Sequence, residues 1–229
     1  PGIAIGKTVY FSRRFIRPER QILDEKDIEA EAAKLDTAVE ATRARIQKTR
    51  DKATREMGEI VARIFDAHLM VLEDVVMLDE IKTKIRDEKI SADCAAFEVM
   101  NKTYESLMAQ QKDIFKERAD DIRDVGMRLL FNLKGKKERF ELQDGEPRII
   151  AARLITPSEI VHFDRELILG LMTDIGGITS HTAILSRALE VPSVVGLDKL
   201  NQYAGQVDLA VVNGNSGKVI LNATDNKQK

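Results

Sequence analysis

The segment Gly176–Arg187, with the sequence GGITSHTAILSR, contains residue types that could carry a phosphoryl group. Its two glycines favour a turn, and Thr179 or Ser180 can cap the helix that the following apolar residues predict. His181 would then lie in the first turn of this helix, where unpaired N–H groups and the helix dipole stabilise an anion. Because a neutral imidazole nitrogen can attack phosphorus, we interpret His181 as a candidate phosphoryl acceptor.

The groups that could bind the phosphate oxygens surround this histidine in the sequence. They are Gly177, Thr179, Ser180, Thr182 and Arg187. Arg187 follows His181 by six positions, which places it on a different face of the helix from His181. A structural ion pair is therefore an equally good interpretation of Arg187, and a structural role is the alternative for His181.

Other chemistries have little support in the sequence. The three histidines are His68, His162 and His181, and neither they nor Cys94 have the spacing of zinc ligands. The G-x-S-x-G motif of a serine nucleophile does not occur. We therefore predict no metal site and no cofactor in this chain.

Composition limits the partners and the compartment. The 229 residues carry a formal net charge of −2 without a basic stretch interleaved with aromatic residues, so we predict no nucleic-acid partner. No apolar run reaches the roughly 18 residues of a membrane-spanning helix, so we predict no membrane contact. A single cysteine cannot form an internal disulfide, which indicates a reducing cytoplasm.

Residues 24–133 should be entirely helical. This block has no proline, is rich in Ala, Glu, Lys, Arg and Leu, and has apolar residues three and four positions apart. The pattern predicts four antiparallel segments. The first segment carries a stripe of Ile28, Leu35, Val39, Thr42 and Ile46. The second carries a stripe of Ile60, Ile64, Leu69, Leu72 and Val76, with a kink or break nearby. The third starts at an N-cap at Ser91, and the fourth carries Ile122, Val125, Leu129 and Leu130.

Short strands are predicted on both sides of the helical block. They lie at residues 3–11, 149–152, 167–171, 194–195, 209–212 and 218–221, and a helix begins at the capping pattern Thr156-Pro157-Ser158-Glu159. Strands at both ends of the chain indicate one α/β subdomain interrupted by a helical insertion. We place the α/β subdomain at residues 1–20 and 140–229, and the helical subdomain at residues 21–139.

Residues 176–196, GGITSHTAILSRALEVPSVVG, closely resemble the phosphohistidine signature of the phosphoenolpyruvate-utilising enzymes. This family includes pyruvate phosphate dikinase and enzyme I of the bacterial sugar phosphotransferase system. Three further stretches resemble enzyme I in particular: PGIAIGKTVYF at residues 1–11, IFDAHLMVLED at 64–74 and FKERADDIRDVGMRLL at 115–130. The resemblance covers nearly the whole chain.

The resemblance implies a fold and a reaction. The fold is an α/β phosphohistidine (swivelling) subdomain with an inserted all-α four-helix subdomain. In the reaction, His181 receives a phosphoryl group from phosphoenolpyruvate and passes it to a histidine of the small phosphocarrier protein HPr. The family places phosphoenolpyruvate and Mg²⁺ on a C-terminal (β/α)₈ barrel of the same enzyme, which we expect to lie outside this chain. We expect the chain alone to be a monomer and the full-length enzyme to be a dimer.

The helical subdomain of enzyme I binds HPr, and the resemblance implies the same role for the residues around His68 and Arg118. The docking patch that it predicts consists of His68, Val71, Leu72, Glu73, Asp74, Val75, Met77 and Arg118. A position at the edge of the core is the alternative for His68, and a solvated helical face is the alternative for Arg118. Closure of the helical core is the alternative for the apolar cluster of Leu72, Val75, Val76 and Met77.

Two places depart from the family pattern. Following Glu73-Asp74, where acidic residues are frequent in the family, this chain has Val75-Val76, which implies a more apolar contact with HPr there. After the segment Thr156–Glu159, members of the family carry a hydroxyl residue that can hydrogen-bond the active histidine, whereas this chain has Ile160. Two other functions remain open at this stage. The chain could be a swivelling domain of a dikinase-type enzyme, or a non-catalytic module that binds a partner through its helices.

Overall fold

The computed structural model describes residues 1–12, 15–136, 145–177, 180–203 and 205–222. Contacts divide the chain into two compact units. The α/β unit consists of Pro1–Arg13, Lys52–Val61 and Phe140–Lys229, and the helical unit consists of Arg14–Asp51 and Ala62–Arg139. An α/β subdomain with an all-α insertion, as the sequence predicts, is confirmed.

The units differ from the predicted boundaries in two places. The segment Lys52–Val61 clusters with the α/β unit, although it lies within the predicted helical range of 21–139. Residues 15–20 cluster with the helical unit instead of the α/β subdomain. A boundary based on composition follows the order of the chain, so it cannot assign a short piece of a helical block to another unit.

The helical block forms five helices between residues 15 and 136: α1 (Ile28–Met57), α2 (Glu59–Leu72), α3 (Val75–Glu88), α4 (Ala92–Met108) and α5 (Asp113–Leu133). The prediction of four segments is therefore wrong, because the second apolar stripe spans two helices. Asp74 is the N-cap of α3, and its carboxylate accepts a hydrogen bond from the N–H of Met77 at 3.1 Å. This cap starts a new helix where the sequence suggests a kink or break.

The first apolar stripe is buried along α1, as predicted: Ile28, Leu35, Val39, Thr42 and Ile46. The hydroxyl of Thr42 donates to the carbonyl oxygen of Ala38 at 2.6 Å and accepts from the side-chain amide of Asn132 at 2.7 Å. Both bonds satisfy this polar group within the core. The second stripe is only partly buried, since Ile60 and Val76 are exposed. The break before α3 changes the helical phase, so Val76 does not continue the stripe of α2.

An ion pair links the start of α4 to the end of α5. Lys134 Nζ lies 2.7 Å from Asp93 Oδ2, and Asp93 is buried. Burial by itself would raise the pKa of the Asp93 carboxyl. The hydrogen bonds from Lys134, Ser91 and the N–H of Cys94, together with the charge of Lys134, outweigh burial and hold this pKa below its usual value.

This pair predicts a pH dependence of stability. A carboxylate whose pKa is lowered in the folded state stabilises the protein above its unfolded-state pKa, and the contribution is lost as the pH falls through the folded-state pKa. Between neutral pH and acid below the usual Asp pKa of about 4, the wild type should therefore lose more stability than the Asp93→Asn variant. Urea unfolding at several pH values measures the difference. An identical pH dependence for both proteins would contradict the prediction.

The strands of the α/β unit are β1 (Ile3–Phe11), β2 (Arg148–Ala152), β3 (Ile168–Thr173), β4 (Ser193–Val194), β5 (Leu209–Asn213) and β6 (Lys218–Leu221). They form one sheet with the order β4-β3-β2-β1-β5-β6. Strands β1 to β4 pair in parallel, whereas β5 and β6 add antiparallel pairs at the other edge. The core on this sheet contains Ala4, Ile149, Ala151, Met172, Val194, Leu200, Ala210 and Val212. All the strands predicted from the sequence are confirmed, with small shifts at their ends.

Two helices connect the parallel strands: α6 (Pro157–His162) joins β2 to β3, and α7 (His181–Ala188) joins β3 to β4. Helix α6 begins with the predicted capping box. The hydroxyl oxygen of Thr156 accepts from the N–H of Glu159, and the Glu159 carboxylate accepts from the N–H of Thr156 at 2.8 Å. Helices α6 and α7 contact each other. Within the described ranges, no helix is both long and apolar enough to cross a membrane.

Candidate functional site

His181 is the first residue of α7, beyond the carboxyl end of β3. The loop residues 174–177 follow Thr173, the last residue of that strand, and Ser180 precedes the helix. Ser180 is the N-cap of α7, and its hydroxyl oxygen accepts from the N–H of Ala183 at 3.4 Å. His181 itself is half-buried. Because ligands of open α/β sheets bind outside the carboxyl ends of the strands, this is a favourable position for a reactive side chain.

Gly176 allows the loop to reach the helix. Its φ of 140° lies in a region that side chains with a Cβ rarely adopt. A Cβ at this position would also come within 3.2 Å of the Cβ of Val195 and 3.3 Å of the hydroxyl oxygen of Ser180. The turn before the N-cap therefore requires glycine at position 176, as the double glycine suggested.

Asp174 anchors the start of the same loop. Its carboxylate accepts hydrogen bonds from the backbone N–H groups of Leu200 and, at 2.8 Å, of Asn201. The N–H of Leu197 also donates to the carbonyl oxygen of Thr173 at 3.0 Å. Asp174 is not among the residues singled out in the sequence, because its partners lie more than twenty residues further along the chain.

Thr182 has a different environment from the one predicted. It is 2% exposed, and its hydroxyl donates to the carbonyl oxygen of Ile155 at 3.0 Å. The hydroxyl of Ser186 donates in turn to the Thr182 carbonyl oxygen at 2.5 Å. Thr182 therefore ties α7 to the residue that precedes the capping box of α6. Its assignment to an exposed phosphate site is corrected, since this hydroxyl is buried and engaged.

Three other candidate phosphate-binding residues, Gly177, Ser180 and Arg187, are more accessible than Thr182. Gly177 is exposed, and its carbonyl oxygen accepts from the N–H of Ser180 at 3.0 Å. Arg187 is exposed in the last turn of α7, and Thr179 lies outside the described residues. Gly177, Ser180 and Arg187 remain predictions as phosphate-binding groups. In the part of the chain that the structure describes, no group of three or more His, Cys, Asp and Glu side chains could hold a metal ion.

Ile160 lies in α6, the helix that contacts α7. It is 0% exposed, so an apolar side chain is packed where the family pattern has a hydroxyl residue. Isoleucine has no atom that can hydrogen-bond an imidazole. Any hydrogen bond that orients the His181 ring must therefore come from another group.

The predicted docking patch is divided between the core and the surface of the helical unit. His68 and Leu72 are 0% exposed, and Met77 is 7% exposed. The surface position predicted for these three residues is therefore wrong. His68 and Leu72 are four residues apart in α2 and share its inner face, which explains their burial. The accessible members of the patch are Val71, Glu73, Asp74, Val75 and Arg118, of which Val71 is half-buried.

His68 belongs to a buried polar cluster in the helical unit. Its Nε2 lies 3.3 Å from Asp121 Oδ1, and its Nδ1 lies 3.9 Å from Asp124 Oδ2. The ring packs edge-on against Phe65, with 5.4 Å between the ring centroids. Arg118 Nη1, 3.9 Å from Asp121 Oδ2, extends the cluster towards the surface. The alternative interpretation of His68, a structural position, therefore fits its environment better than a surface contact.

The burial of Asp121 and Asp124 is not among the sequence predictions. Asp121 ends a charged run that favours a solvated face, yet both carboxylates are buried. The sequence does contain an indication of this burial, since Asp121, Asp124 and Arg128 recur three and four positions apart. They share a sector of α5 with the fully buried Val125, so polar residues at this spacing can mark a buried cluster.

Comparison with known proteins places this geometry in a family. Residues 1–118 match the family described as "PEP-utilising enzyme, N-terminal", and residues 144–217 match the one described as "PEP-utilising enzyme, mobile domain". The phosphoenolpyruvate-protein phosphotransferase of Staphylococcus aureus (strain MRSA252) is 35% identical over 231 residues, covering 99% of this chain and 40% of that protein. The Enterococcus faecalis (strain ATCC 700802 / V583) protein with the same description is 37% identical over 229 residues, covering 98% of this chain and 40% of that protein. The chain thus spans 40% of the length of these curated relatives.

Solved structures give a match over almost the entire chain. The NMR solution structure described as Enzyme I (nEIt) is 37% identical with a TM-score of 0.74, covering 98% of this chain and 91% of that one. The structure described as the N-terminal domain of Enzyme 1 - Nitrogen has a TM-score of 0.62 at 24% identity, covering 97% of this chain and 90% of that one, and shows the fold alone. This chain therefore belongs to the phosphoenolpyruvate-utilising enzymes, in the branch represented by the N-terminal domain of Enzyme I.

Proposed function

We propose that this chain is the phosphohistidine domain of a phosphoenolpyruvate-protein phosphotransferase, in which His181 accepts a phosphoryl group and passes it to a histidine of HPr. The observation that carries the proposal is the position of His181 as the first residue of α7, after a Gly-Gly turn and a serine N-cap. The N–H groups and the dipole at this helix end stabilise the phosphate. Similarity to Enzyme I over nearly the whole chain supports the same conclusion.

The proposed transfer exchanges one P–N bond for another. A lone pair on a ring nitrogen of His181 attacks the phosphorus of phosphorylated HPr, and the P–N bond to the HPr histidine breaks. The electron pair of that bond returns to the HPr imidazole, and the second ring nitrogen of His181 keeps its proton. Because both compounds are phosphoramidates of similar energy, the transfer runs in either direction.

The complete protein takes its phosphoryl group from phosphoenolpyruvate. We place phosphoenolpyruvate and Mg²⁺ on a C-terminal (β/α)₈ barrel of the same protein, where the metal ion neutralises charge on the donor phosphate. The described residues of this chain supply the acceptor histidine and a surface for HPr. The helical unit supports the enzyme I type over the dikinase type, because the match to Enzyme I includes it.

Two donors test the proposal in separate arms. Incubated with phosphorylated HPr, the 229-residue chain should gain the mass of one phosphoryl group and return it to unphosphorylated HPr without added metal. Incubated with phosphoenolpyruvate and Mg²⁺, it should gain nothing, because in-line transfer requires a site that holds the donor. Intact-mass spectrometry over time follows both arms. Labelling by phosphoenolpyruvate would place the donor site in this chain, and a chain that binds HPr but gains no phosphate would be the non-catalytic module.

The HPr surface that the proposal requires lies on the α2–α3 corner, which we define as residues 70–76. Met70, Val75 and Val76 are 63%, 66% and 78% exposed, which is unusual for residues so apolar. The exposed carboxylates of Glu73 and Asp74 lie beside them in the chain. Apolar anchors with a charged rim suit a transient protein partner.

A substitution at this corner should weaken HPr binding without loss of folding. Val75→Asp places a charge on an exposed apolar anchor, and we expect the Kd for HPr to rise about tenfold. Ile220→Asp, which changes an apolar residue that is 58% exposed on β6, is the matched control and should leave binding unchanged. Calorimetry or an NMR titration measures both. An equal loss of affinity for HPr in the two variants, or a loss of affinity only in Ile220→Asp, would refute the corner as the docking surface. Leu72 is unsuitable for this test because it is buried.

A further inference from the structure

A recess lies in the helical unit, between α4 and α5. It is a half-open cavity of about 140 Å³ with walls of Ala96, Met100, Ile122 and Leu130. All four side chains are at most 8% exposed, so the walls are part of the core. Neither His181 nor the α2–α3 corner lines this recess, and the proposed phosphoryl transfer does not use it.

Gly126 lines the recess and packs closely against Met100. A Cβ at this position of α5 would come within 3.2 Å of Met100 Sδ and 3.3 Å of Met100 Cε. Met100 on α4 therefore occupies the space beside Gly126, and a larger residue at position 126 would have to displace Met100 or extend into the recess. Glycine in the middle of a helix is less favourable than alanine, so this close packing of Met100 against α5 is kept at the expense of stability.

The rim of the recess carries an arginine held in place by an aromatic ring. Arg123 Nη1 donates to the phenolic oxygen of Tyr104 at 3.0 Å, and the guanidinium carbon lies 5.5 Å from the centroid of the Tyr104 ring. Among the residues that the structure describes, no carboxylate forms an ion pair with Arg123. A guanidinium fixed in this way has donors left for a planar carboxylate.

We propose that this recess binds a small carboxylate that carries a single apolar ring. The apolar walls would hold the ring, and Arg123 at the rim would bind the carboxylate through charge-assisted hydrogen bonds. The size fits, because a cavity of about 150 Å³ lined by apolar side chains accommodates benzene. Charge complementarity selects an anion over a neutral ring, and the half-open shape leaves room for the carboxylate to face the arginine.

Benzoate is the probe, and benzyl alcohol, which has the same ring without the charge, is its control. Titrated into the ¹⁵N-labelled chain, benzoate should shift the amide signals of residues 96–104 and 122–130, with saturation below about 10 mM. Arg123→Gln should weaken this binding at least about tenfold, because it removes a charge-assisted bond. Arg45→Gln, which changes an exposed arginine of α1, should not weaken it.

Two further variants and a partner complete the test. Gly126→Leu should abolish the shifts, because the larger side chain would fill the recess. Gly126→Ala adds only one methyl group in a helix and should reduce the shifts, and it serves as the test variant if the leucine variant does not fold. No saturable shifts with benzoate, equal binding of benzyl alcohol, or unchanged binding in Arg123→Gln would overturn the proposal. Shifts of the same amides on addition of HPr but not of benzoate would assign the recess to a protein partner and overturn it too. His181→Ala should have no effect on the shifts caused by benzoate. Binding of a carboxylate in the recess is therefore tested independently of the proposed phosphoryl transfer.

Discussion

His181→Ala should abolish the transfer of a phosphoryl group from phosphorylated HPr to this chain. The substitution removes the imidazole nitrogen that forms the new P–N bond, and no water or neighbouring hydroxyl can replace it as a phosphoramidate-forming group. The loss should therefore be complete within detection. Intact-mass spectrometry during incubation with phosphorylated HPr measures it.

The control for this variant is its affinity for HPr. His181 lies in the α/β unit, whereas the proposed HPr surface is in the helical unit, so the Kd for HPr should change little. His162→Ala, which changes an exposed histidine of α6, should still accept phosphate at the wild-type rate. Labelling of the His181→Ala chain would show that another residue is the acceptor.

His68→Ala should destabilise the helical unit strongly. The substitution leaves Asp121 and Asp124 buried without the imidazole that lies 3.3 and 3.9 Å from their oxygens, and it also removes a ring that packs against Phe65. Removing one member of a buried charged or polar cluster costs about 3–5 kcal/mol. Urea unfolding followed by far-UV circular dichroism measures the change in the free energy of unfolding.

A double-mutant cycle separates the cluster from the loss of packing. If loss of the contact between His68 and Asp121 causes most of the damage, Asp121→Asn should cost less in the His68→Ala background than in the wild type. His162→Ala is the matched control and should cost less than about 1 kcal/mol, because it changes an exposed histidine. Additive losses in the free energy of unfolding across the cycle, or a loss below about 1 kcal/mol in His68→Ala alone, would contradict the structural role of the cluster.

Features set by neighbouring residues could be predicted from the sequence. The capping box at Thr156 and Glu159 and the N-cap at Ser180 each depend on side chains within a few positions of the helix end. Ser91 is the N-cap residue of α4 as predicted, but its side chain makes no capping bond, and the N–H of Ala92 donates to the distant carboxylate of Glu31 at 2.8 Å. The strands follow from short apolar runs between turn residues. For the same reason, the position of His181 at the beginning of a helix could be derived from the segment that contains it.

Features set by distant contacts could not be derived in this way. The surface position of His68 was inferred from the resemblance, and the residues alone favoured the edge of the core; its two aspartate partners on α5 could not be derived from either. Thr182 looks like a phosphate ligand until Ile155 is found beside it. The burial of a polar side chain depends on the element packed against it, which the local pattern does not contain. The break between α2 and α3 was only partly visible from the sequence, because Asp favours an N-cap but also occurs on exposed helix surfaces, so Asp74 alone does not fix the start of a new helix.

The most direct measurement is to locate the phosphate on the labelled wild-type chain. After incubation with phosphorylated HPr, tandem mass spectrometry of peptides prepared at neutral to alkaline pH should place one phosphoryl group on His181, and brief acid treatment should remove it, as expected for a P–N bond. Phosphate found on Thr179, Ser180 or another hydroxyl residue, or on His68 or His162, would contradict the account.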